Sequence, residues 1–87
     1  MSSYKKYRET AGSVTELALE VIKDPEATHS QYMFAAEALY QAGMLRGLMI
    51  AGEPVDSPTM HKTWLKTARA MNDIRRHDYR VGCVTYT

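Results

Sequence analysis

The chain has 87 residues, of which 45% are hydrophobic and 24% are charged, and its formal net charge at pH 7 is +1. This balance is typical of a folded globular protein and excludes a disordered or fibrous one. The length allows one hydrophobic core, so we expect a single domain over residues 1–87. A core of this size leaves a small stability margin, and burial against another subunit is a common remedy, so a homo-oligomer is expected as an alternative to a monomer.

Cysteine usage and the chain ends bear on the cellular compartment. Cys83 is the single cysteine, so it cannot form an internal disulfide, and with three scattered histidines it lacks the paired spacing of a zinc site. We expect a cytoplasmic protein with no metal and no cofactor. The polar N-terminus carries no visible secretory signal, and the most apolar stretch, residues 38–51, is too short to span a bilayer.

The first helix is predicted over about residues 3–23. Its apolar positions recur at alternating steps of three and four, which places them on one helical face; they are Tyr4, Tyr7, Ala11, Val14, Ala18 and Val21. Gly12 predicts a weak point or kink. Ser13 and Glu16 also form a capping-box pattern that could start a separate helix at Val14, but one continuous helix is favoured.

The second helix is predicted over about residues 29–51, with Thr28 and Gln31 as its capping box and Gly52 as its stop. A seam of small residues is expected to face the core, where it would let another backbone approach closely. The seam comprises Ala35, Ala36, Leu39, Ala42, Gly43, Gly47 and Ile50.

The third helix is predicted over about residues 58–77, because Ser57 can cap it and Pro58 suits its first position. Its expected apolar stripe contains Met60, Trp64, Leu65, Ala68, Met71 and Ile74. The tail, 79–87, is rich in β-formers and reads either as extended chain that pairs with another subunit or partner, or as a frayed end. The expected fold is therefore all-α, a three-helix bundle or a helical hairpin plus a third helix, with a short extended C-terminal tail.

The candidate site is a basic surface on the third helix and the start of the tail. Residues 54–87 hold six Lys and Arg against three Asp and Glu, whereas residues 1–53 hold five against seven. Four cations should lie opposite the apolar stripe, where they could meet an acidic protein surface or a phosphate backbone. The predicted partner-binding residues are Lys62, Lys66, Arg69, Arg76, Tyr79 and Arg80.

No local pattern in the sequence indicates catalysis. A nucleophile with a neighbouring base, or two carboxylates in a protected cleft, would be required, and neither is evident. We therefore expect a non-catalytic module that binds another protein as an inhibitor or adaptor, of a compact kind frequent among bacteriophage genes. The six tyrosines favour this reading, because tyrosine is enriched at protein interfaces.

Two further functions stay open. The basic face of the third helix could bind nucleic acid. An oligomer could instead sequester a small anionic ligand such as a nucleotide, with arginines from neighbouring subunits forming the pocket.

Overall fold

The computed structural model describes residues 4–77, which form three α-helices. Helix α1 is Lys5–Lys23, α2 is His29–Ile50 and α3 is Pro58–His77. Each helix packs against the other two around one cluster of buried side chains. The predicted all-α bundle is confirmed, with no strand among residues 4–77. The tail expected at 79–87 lies outside the described residues.

Helix α1 is one uninterrupted element. The predicted face is buried, with Tyr7, Ala11, Val14, Ala18 and Val21 in the core. The alternative of a new helix beginning at Val14 is therefore wrong. The reason is tertiary burial: the apolar stripe continues through Gly12 without a break, so packing outweighs the local capping pattern.

The ends of α2 form as their residues predict. The side-chain oxygen of Thr28 accepts from the backbone N–H of Gln31 at 3.2 Å, and Gln31 Oε1 accepts from the Thr28 N–H at 2.7 Å, which completes a capping box. At the other end Gly52 has a φ of 81°, and the Glu53 N–H donates to the carbonyl of Leu48 at 3.0 Å. This pattern is a Schellman motif, and it favours glycine at position 52 because the residue there must adopt a positive φ.

The face of α2 that enters the core differs from the predicted seam. Ala35 and Ala42 are buried and Leu39 is half-buried, but Ala36, Gly43, Gly47 and Ile50 are exposed. The core instead receives a neighbouring face of the helix, made of Gln31, Ala35, Ala38, Gln41, Ala42 and Leu45. A Cβ built on Gly43 or Gly47 meets no atom within 4 Å, so the predicted close approach of another backbone does not occur at these two glycines among residues 4–77.

Helix α3 begins at the predicted cap. Ser57 Oγ accepts from the backbone N–H groups of Thr59 at 3.1 Å and Met60 at 3.4 Å, and Pro58 follows the cap directly. Met60 and Ile74 are buried as predicted, but Leu65 is exposed. Thr67 takes a core position because its hydroxyl donates to the carbonyl of Thr63 at 2.8 Å, which satisfies the polar group inside the helix.

Tyrosine hydroxyls tie the connecting segments to the helices. Tyr7 donates to the carbonyl of Val55 at 2.9 Å, and Tyr4 donates to the carbonyl of Glu53, so both fasten the α2–α3 connection to α1. Tyr32 donates to the carbonyl of Asp24 at 3.0 Å. These three rings therefore have structural roles, whereas Tyr40 on α2 is 62% exposed.

Candidate functional site

The four cations predicted on α3 all lie on its exposed side. They are Lys62, Lys66, Arg69 and Arg76. The buried side of the same helix faces α1 and α2, and Trp64 lies toward α1, where its Nε1 donates to Thr10 Oγ1 at 3.0 Å. Tyr79 and Arg80, the other two predicted partner-binding residues, lie outside the described residues. Partner binding by this set stays a prediction.

Two of these cations line a groove between α2 and α3, which we call the α2–α3 groove. Its volume is about 310 Å³, and its lining residues are Glu37, Gln41, Lys66, Arg69, Ala70 and Asp73. Positive and negative side chains therefore share one concave surface. Sequence reasoning missed Glu37 and Gln41, because nothing in the sequence indicates which face of α2 lies beside the basic face of α3.

Gln41 gives this groove an unusual hydrogen-bonding requirement. The residue is 8% exposed, and its Nε2 donates to Glu37 Oε2 at 2.8 Å. Its carbonyl oxygen, Oε1, is buried and accepts no hydrogen bond from residues 4–77. A buried polar atom without a partner costs about 1–3 kcal/mol, and its burial closes this oxygen to any molecule that docks on the present surface.

A second surface of interest is the outward side of α2, which we call the α2 outer face. Its members are all exposed and none is charged: Met33, Ala36, Tyr40, Gly43, Met44, Gly47 and Ile50. Glu37 and Arg46 are the two charged residues of this helix, and they lie at its borders with α3 and α1 respectively. Neither the inner nor the outer side of α2 therefore carries Asp, Glu, Lys or Arg.

A third feature is a cleft of about 450 Å³ between α1 and α2. Arg8 and Arg46 line it together with Tyr4, Met49 and Ile50. Neither guanidinium pairs with a carboxylate of residues 4–77. Two arginines in one cleft are what the alternative function, sequestering a small anionic ligand, would require. That alternative expected the arginines to come from neighbouring subunits, whereas both come from one chain here. The function stays a prediction.

The described residues give two further findings about sites. Among residues 4–77, no three His, Cys, Asp or Glu side chains are grouped so as to hold a metal ion. None of the three helices is long and apolar enough to cross a membrane. Cys83 lies outside the described residues.

Comparison of the chain with models of protein families, with curated proteins and with solved structures gives no match.

Proposed function

We propose that this protein is a non-catalytic interaction module, an inhibitor or adaptor that binds another protein through the α2–α3 groove and the basic face of α3. The observation that carries the proposal is the mixture of donors and acceptors in the groove. Lys66 and Arg69 can only donate hydrogen bonds, whereas the carboxylates of Glu37 and Asp73 can only accept them.

This mixture distinguishes a protein partner from a nucleic-acid backbone. Phosphate groups carry acceptors and negative charge, so they suit Lys66 and Arg69 but would be repelled by Glu37 and Asp73. A protein surface carries both kinds of group. Carboxylates of the partner can meet the two cations, while an arginine or lysine of the partner can meet the exposed Glu37 carboxylate.

The location of the cations also favours partner binding over fold stabilisation. Lys62, Lys66, Arg69 and Arg76 are exposed, and surface charges of this kind contribute little to the free energy of folding. They can therefore change without loss of the helical bundle. Rim charges of an interface instead act on the rate of association and on the choice of partner.

Charge reversal in the groove tests the proposal. We expect Lys66→Glu combined with Arg69→Glu to lose the protein that the parent retains from a nuclease-treated cell lysate, because two attractive contacts become repulsive. The measurement is the amount of co-purified protein by mass spectrometry. Circular dichroism should show unchanged helix content.

The matched control is Arg8→Glu combined with Arg75→Glu, which changes the net charge equally at exposed positions outside the groove. This control should retain the partner. Equal loss from both variants would contradict a specific groove. Retention that disappears on nuclease treatment would support nucleic-acid binding by the basic face instead.

A further inference from the structure

The α2 outer face lacks the charged residues found on the outward sides of the other two helices. Glu9, Glu16 and Glu20 are exposed on α1, and cations line the outward side of α3. On α2 the corresponding positions include Met33 at 58% exposure, Tyr40 at 62%, Met44 at 41% and Ile50 at 87%. An exposed helix face with several large apolar side chains and no charge is typical of a contact surface, so this face calls for a covering surface.

We propose that a second copy of this chain docks on the α2 outer face, so that two α2 helices form the centre of a two-fold dimer. The proposal concerns a different surface from the α2–α3 groove and does not depend on the proposed function. In an isologous dimer the same patch serves both subunits, so the patch must be complementary to itself. The first condition for such a patch is that it carries no charged residue, because two like charges would otherwise be buried against each other in the dimer. The α2 outer face meets this condition.

The order of large and small residues along the face meets the second condition. When two α2 helices lie antiparallel and are centred between Tyr40 and Gly43, the Tyr40 ring of each copy is level with Gly43 of the other. Ala36 is then level with Gly47. A large side chain therefore meets a glycine, and two small residues meet at the next turn, which permits a close approach of the helices.

Among residues 4–77 the two glycines have no comparable role within one chain. Each glycine inside a helix costs about 1 kcal/mol relative to alanine. A Cβ at Gly43 or Gly47 would meet nothing within 4 Å, so no segment of residues 4–77 makes use of the missing side chain. The second copy supplies the close contact that the glycines permit.

The area is sufficient for a specific dimer. The face from Met33 to Ile50 extends about 26 Å along the helix. Its four large side chains present on the order of 500 Å² of exposed surface. With the small residues between them and the borders of α1 and α3, this reaches the roughly 600 Å² per copy at the lower end of stable interfaces.

Light scattering after size-exclusion chromatography tests the dimer. The parent should have twice the mass of the chain at high concentration and dissociate on dilution. Gly47→Glu should raise the dissociation constant about 100-fold or more, because each copy would bury a carboxylate. Helix content should be retained, since glutamate has a higher helix propensity than glycine. Tyr40→Glu, at another exposed position of the face, should give the same dissociation.

The matched control is Gly12→Glu on α1, where a built Cβ likewise meets nothing within 4 Å. This variant should stay dimeric, as should Lys66→Glu combined with Arg69→Glu, which separates the dimer from groove binding. A parent that is monomeric at every concentration would overturn the proposal. So would a Gly47→Glu variant that dimerises as tightly as the parent.

Discussion

Replacing Leu45 with alanine is expected to lower the free energy of unfolding by about 2–5 kcal/mol, which is the usual range for a buried leucine. Leu45 is fully buried and is among the largest side chains enclosed by the three helices. Its truncation removes apolar contact area and leaves a cavity that fixed helices cannot close completely. The measurement is chemical denaturation followed by far-ultraviolet circular dichroism, at a concentration at which the parent is monomeric.

Leu65→Ala is the matched control, because Leu65 lies on the exposed side of α3. We expect its effect to stay within about 0.5–1 kcal/mol. If both alanine variants unfold at the same denaturant concentration, the inward face of α2 has been assigned incorrectly.

Replacing Trp64 with alanine is expected to cost about 2–4 kcal/mol, slightly below the range for a fully buried aromatic because this side chain is half-buried. Trp64 joins α3 to α1 in three ways. Its ring lies edge-on to Tyr7 with the centroids 6.2 Å apart, and its Nε1 donates to Thr10 Oγ1 at 3.0 Å. The Nζ of Lys6 also lies 4.5 Å from the ring centroid.

The hydrogen bond can be separated from the ring packing. Trp64→Phe keeps an aromatic ring but removes the donor, and Thr10→Val removes the acceptor. We expect the two changes combined to cost less than the sum of the single changes, with a coupling of about 1 kcal/mol in urea denaturation. Strict additivity would show that this hydrogen bond contributes nothing to stability.

The sequence predicts α1 and α3 well because each has one apolar stripe beside clearly charged positions. Along α1 the buried residues from Tyr7 to Val21 follow the expected spacing. The ends of α2 and α3 are also predictable, because the caps at Thr28 and Ser57 act on backbone groups within three residues. Local chemistry is sufficient for these features.

The inward side of α2 could not be predicted in the same way. Charged residues normally mark the solvent side of a helix, but Glu37 and Arg46 lie at the two borders of the outer face and leave both sides apolar. The choice between the sides depends on how α1 and α3 pack, which is a long-range property. Because the outer side of α2 also carries apolar residues at helical spacing, periodicity alone did not distinguish it from the inward side.

The α2–α3 groove also depends on contacts between distant parts of the chain. The basic side of α3 follows from its sequence, since the cations lie opposite Met60 and Ile74. The acceptors on Glu37 and Gln41 are brought beside Lys66 and Arg69 by helix packing alone. Charge counts therefore suggested an anionic partner of either class, whereas the packed helices favour a protein.

Site-specific photocrosslinking tests the central claim, protein binding in the α2–α3 groove, most directly. A photoreactive amino acid placed at Lys66 would lie in the groove, and one placed at Glu16 would lie on the exposed side of α1, away from the groove and from the basic face of α3. Illumination in a nuclease-treated lysate should link the groove position to a distinct protein and give little product from the other position. Equal products from both positions, or products made only with nucleic acid in untreated lysate, would contradict the account.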